Sequence, residues 1–101
     1  MAPQEHKIEV ELSAEVAEGI YSNLAIITHS NAEFIVDFIN MMPGKSKANV
    51  KSRIILTPQH AKRLMNALND NINKFEAGFG KIREGEQRGD AITFAMPAAQ
   101  A

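Results

Sequence analysis

Hydrophobic and polar positions alternate strictly over residues 7–12, with Ile8, Val10 and Leu12 on one side and Lys7, Glu9 and Glu11 on the other. A period of two predicts a half-buried strand. Residues 13–19 admit two readings: Ser13 caps a helical turn that Gly19 ends, or the segment is a bulged continuation of the strand. Residues 20–29, rich in β-branched and aromatic types, predict a second strand, and Ser30, Asn31 and Ala32 the turn after it. Residues 33–41 predict a third, with Phe34, Val36 and Phe38 on one face and Ile35, Asp37, Ile39 and Met41 on the other. Residues 43–47 read as a loop, and residues 49–56 as a fourth strand in which Val50, Ile54 and Leu56 alternate with Lys51, Arg53 and Ile55.

The pattern then changes period. Thr57 and Pro58 are a helix start, because a threonine side chain accepts free first-turn amides and proline at the first helical position forfeits no hydrogen bond. Ala61, Leu64, Met65, Leu68, Ile72 and Phe75 follow at spacings of three and four, tracing one apolar stripe, and Gly78 and Gly80 supply stop signals. The predicted helix spans about residues 58–77. Beyond it the composition predicts a mostly flexible tail over residues 81–101, in which 91–96, where Ile92, Phe94 and Met96 alternate, either stays in the tail or adds a short strand to an edge of the same chain or a neighbour. Residues 1–6 are expected to be a flexible start.

The fold class expected is α+β: a single domain over residues 7–80, made of a four-stranded antiparallel sheet followed by one long amphipathic helix. A 20-residue helix is about 30 Å long, whereas four strands make a sheet roughly 15–19 Å wide. One helix covers one sheet face, yet the second and third strands carry apolar residues on both. An uncovered apolar face marks an interface, so a homo-oligomer is expected, most simply a two-fold dimer. Ile35, Ile39, Met41 and Met42 are the candidate surface for self-association or for a polypeptide client.

Charge adds a second candidate surface. The net charge of −1 conceals an uneven distribution: residues 1–44 hold seven acids against Lys7, while residues 45–63 hold Lys45, Lys47, Lys51, Arg53, Lys62 and Arg63 with no acid. These six cations are a candidate polyanion patch if they converge, and otherwise they stand beside the acidic segment, within one chain or across an interface. No apolar run is long enough to span a membrane, the first seven residues lack the apolar stretch of a secretory signal, and there is no cysteine. A cytoplasmic protein without membrane association is the expectation.

Candidate chemistry is sparse. None of the serines sits in a Gly-x-Ser-x-Gly elbow, and His6, His29 and His60 are widely separated. His29 and Asp37 pair more readily as a structural hydrogen bond than as metal ligands. Gly44-Lys45-Ser46 lacks the glycine five positions earlier that a phosphate-binding loop requires, since that position is Ile39. No catalytic residue, metal site or cofactor is expected, and the chain reads as a non-enzymatic binding module.

Three segments resemble a known family: Gly19-Ile-Tyr-Ser-Asn-Leu-Ala-Ile-Ile-Thr-His-Ser, Glu33-Phe-Ile-Val-Asp-Phe, and Arg53-Ile-Ile-Leu-Thr-Pro-Gln-His-Ala-Lys-Arg-Leu with the helix through Gly80. Over residues 7–83 the chain is similar to the domain-of-unknown-function family 3467 of bacteria and archaea. That resemblance implies no activity, cofactor or catalytic residue. The order of strands before a long helix also looks like that of SecB-type export chaperones and of small single-strand DNA-binding coactivators. The function expected is therefore a polypeptide-binding chaperone or adaptor, with single-stranded nucleic-acid binding through residues 45–63 as the alternative.

Overall fold

A computed structural model of the chain describes residues 7–84. Its elements, in order, are the helical turn α1 (Ala14–Ala17), the strands β1 (Leu24–His29), β2 (Phe34–Ile39) and β3 (Val50–Leu56), and the helix α2 (Pro58–Phe79). The α+β class stands, with a sheet of three antiparallel strands in the order β1-β2-β3 rather than four. The flexible start expected at 1–6 lies outside the described residues, as does the tail expected at 81–101 from residue 85 on, with the candidate edge strand at 91–96.

The correction to the strand count falls on residues 7–12, which are exposed and form no strand with the described residues. Alternation reports which side chains a strand would bury, but a strand also needs an edge to hydrogen-bond, and this segment meets none among the described residues. At residues 13–19 the helical turn is the outcome. Ser13 Oγ accepts a hydrogen bond from the Val16 amide at 3.2 Å, and Gly19, at φ +76°, turns the chain out of α1 in the left-handed region that favours glycine.

β1 and β2 are shorter than the pattern predicts because a side chain takes over from the ladder. Asn23 Nδ2 donates to the Met41 carbonyl at 2.9 Å while its Oδ1 accepts the Met41 amide at 2.7 Å. This amide clamp satisfies Met41 as a strand neighbour would, and pairing stops there. At the other end of the hairpin the Ser30 amide donates to the Glu33 carbonyl at 2.9 Å, and Ser30 Oγ accepts from the Ala32 and Glu33 amides. That closes the predicted turn. Between β2 and β3 the register slips by one at Lys51, the extra residue of a bulge opposite Phe38 and Ile39.

Among the described residues, Ile26, Val36, Asp37 and Ile39 are buried, three of them on β2. Ile39, expected on an open face, is instead part of this small core. As a residue of the central strand it is flanked by Leu24 on one side and Val50 on the other. Lateral neighbours cover what a count of layers leaves bare. Ile35 and Met41 are half-buried, and of the four candidates only Met42, at 53%, is exposed.

α2 begins where the sequence places it. Thr57 Oγ1 accepts from the His60 amide at 3.1 Å, and Pro58 occupies the first turn. Gly78 is absorbed into the helix, and Gly80, at φ +94°, ends it. Glu76 then receives the Ile82 amide at 2.9 Å, directing the chain away. Among the described residues, no helix is long and apolar enough to cross a membrane. Because Ile39 is enclosed on both sides, Ile39→Ala should cost about 3 kcal/mol of unfolding free energy in a denaturant titration, the cost of a core cavity, with little change in slope.

Candidate functional site

Cross-strand partners share a face, so the register sorts the sheet into two surfaces. Ile27, Phe34, Val36, Ile54 and Leu56 lie on one, with Phe38 and Ser52; Ile26, Ile35, Asp37, Ile39, Arg53 and Ile55 lie on the other. α2 leaves β3 directly after Leu56 and stands over the first surface without closing on it. An open groove of about 600 Å³ remains, walled by Ile27, Phe34 and Val36 below and by Ala61, Met65 and Leu68 of α2 above, with Lys62 as its charged rim. A second recess of about 500 Å³ lies between α1 and the same face, lined by Val16, Ile20, Phe38 and Ile54.

The helix itself is amphipathic but contributes no buried residue. Leu68 is 57% exposed, Phe75 49% and Phe79 81%, and Ile82, past the helix end, is 48% exposed. Phe75 and Phe79 pack on each other, with ring centroids 5.1 Å apart. Asp70 and Lys74, one turn apart on the polar side, form an exposed ion pair at 3.1 Å. Such a surface pair adds little stability.

The six candidate cations do not form one set. Lys45 and Lys47 are exposed in the loop before β3, Lys51 is exposed in its bulge, and Lys62 and Arg63 are exposed on α2 beyond the strand. Arg53 lies between them and is committed elsewhere. Its Nε donates to Asp37 Oδ1 at 2.6 Å and its Nη2 to Oδ2 at 3.0 Å, a two-pronged pair across β2 and β3. Counting cations along the chain gave no warning of this, because Asp37 lies 16 residues away. The hint available was the lone carboxylate in an otherwise apolar strand.

Asp37 is fully buried, at 0% exposure, and is the one buried titratable group among the described residues. Hydrogen bonds from Arg53 hold its carboxyl below the ordinary aspartate value of 3.8, against burial, which pushes it up, and with help from the Arg53 charge. The same bonds push the Arg53 guanidinium above its own ordinary value. Both carboxylate oxygens are occupied, so Asp37 is a structural anion here, not a free base. His29 stacks on Phe34 across the hairpin, ring centroids 5.4 Å apart, instead of reaching Asp37. Among the described residues, no group of three His, Cys, Asp or Glu side chains converges as a metal site would require.

A carboxyl with a depressed folded-state pKa contributes stability at neutral pH that is lost as pH falls through that value. Asp37→Asn should lower Tm at pH 7, and its deficit relative to the parent should shrink on acidification below the ordinary aspartate value, as protonation removes the same charge from the parent. Thermal melts across that range check this.

No curated protein and no solved structure matches the chain. The family model described as "Protein of unknown function (DUF3467)" matches residues 1–84. That span takes in every element from the helical turn to the end of the long helix, and the chain belongs to this family.

Proposed function

We propose that this protein is a homo-oligomeric, non-enzymatic module that binds polypeptide. The observation that carries the reading is a 22-residue amphipathic helix with no buried residue, held above an apolar sheet face by an open groove. The three buried aliphatic side chains among the described residues are too few to offset the conformational entropy of ordering a domain of this length. Further burial against another chain is what this reading supplies.

Two parts of the surface divide that role. The far end of the stripe, with Phe75 and Phe79, and Ile82 past the helix end project beyond the groove and suit a second copy of the helix. The groove beneath α2 has one wall of strand and one of helix, and accepts aliphatic or aromatic side chains of an extended client. With Asp37 neutralised by Arg53 there is no free buried acid or base among the described residues, and the reading is of a binding role.

Light scattering should give the parent chain at least twice its own mass, and Phe75→Asp with Phe79→Asp should reduce it to one chain. Leu68→Asp in the groove should weaken binding of a fluorescent unfolded polypeptide at least tenfold, whereas that binding should hold in high salt, as apolar capture does. Binding that instead collapses with salt and with Lys45→Ala, Lys47→Ala and Lys51→Ala would mark a polyanion site and reject the polypeptide reading.

A further inference from the structure

Residues 7–12 carry the strongest strand pattern at the start of the described chain, yet Ile8 is 85% exposed, Val10 92% and Leu12 70%. Three apolar side chains in strict alternation, held in water, describe a strand without a sheet. The sheet, for its part, ends at β3, whose outer backbone edge has no partner among the described residues. We propose that residues 7–12 of one chain add as a fourth strand to the free edge of β3 in a second copy. This rests on the self-association proposed above and specifies one of its contacts.

The side-chain chemistry selects that edge. Along β3 the groove-side face carries Ser52, Ile54 and Leu56, and the opposite face carries Arg53, with Lys51 exposed in the bulge. Set beside it, Ile8, Val10 and Leu12 continue the apolar face, and Glu9 and Glu11 fall near the exposed Lys51, Arg53 being held by Asp37. Opposite charges and apolar pairs across strands both stabilise a ladder. The basic run from Lys45 to Arg63 contains no acid, so the carboxylates meet no repulsion there. The other free edge, β1, has the sequence Leu-Ala-Ile-Ile-Thr-His and gives Glu9 and Glu11 no lysine or arginine to face.

The occupant is a second copy because residues 7–12 pair with no strand among the described residues of their own chain. α1 follows after Ser13, and Val16 and Ile20 border a recess against Phe38 and Ile54. A reciprocal exchange makes the same contact twice, the geometry of a two-fold dimer. It also covers an edge that would otherwise template uncontrolled pairing.

The absence of cysteine makes the test direct. Full-length Val10→Cys and full-length Ile54→Cys are mixed in equal amounts and mildly oxidised, with Ser52→Cys as a second partner should Ile54→Cys fail to fold. The mixed disulfide should exceed either homodisulfide at least tenfold, where random collision gives about twofold. Glu9→Lys with Glu11→Lys should remove that preference, and adding Lys51→Glu to the cysteine partner should recover it. A statistical mixture from a chain that light scattering shows to be oligomeric overturns the strand exchange and leaves self-association standing. A monomeric parent overturns both. A doubly substituted chain that closes its disulfide internally at high dilution overturns the choice of a second copy.

Discussion

A carboxylate with no exposure tolerates very few arrangements. Asp37 sits in the middle of β2 between Ile26 and Arg53, with both oxygens filled by one guanidinium. A one-residue slip of β2 against β3 would turn Asp37 to the opposite face and leave a buried charge without its counter-ion, at a cost well above that of any single apolar contact here. The register of the sheet therefore depends on this pair. The bulge at Lys51 takes up the misfit where the strands diverge, so the pairing at Asp37 and Arg53 stays intact.

From that register the rest follows geometrically. It assigns Ile27, Phe34, Val36, Ile54 and Leu56 to the face beneath α2, and it places Leu56 where Thr57 can cap the helix at once. α2 then has no linker in which to adjust. At 1.5 Å per residue its 22 residues run about 33 Å, against roughly 20 Å for a seven-residue strand, so a helix tied at one end to a small sheet carries much of its stripe past it. The groove and the exposed stripe are two consequences of one mismatch in length.

Local signals were legible because they act within one turn of chain. Thr57-Pro58 and Gly80 mark the limits of α2 and Ser30 closes the hairpin turn, each through bonds or backbone angles confined to three or four residues, whereas Ser13 and Gly19 fitted a bulged strand as well as the helical turn that forms. Gly78 misled as a stop signal, since a glycine in the last turn weakens a helix without ending it when the next turn is still formed. Asn23 was less legible. Its clamp on Met41 spans 18 residues, and nothing about an asparagine before a strand announces a distant backbone partner.

The candidate surfaces show the same division. The sequence by itself determined the amphipathic stripe of α2, the three strands from Leu24 to Leu56, the separation of acidic and basic segments, and the excess of apolar surface over what one helix covers, because all of these are periodicities or sums along the chain. Only the tertiary structure decided that Ile39 is enclosed while Leu68 and Phe79 are open, that Arg53 belongs to Asp37, and that residues 7–12 find no edge among the described residues. Those outcomes depend on which strand is central and which backbone edge lies within reach. Periodicity tells a side chain which way to point, and only the assembled sheet supplies what it points at.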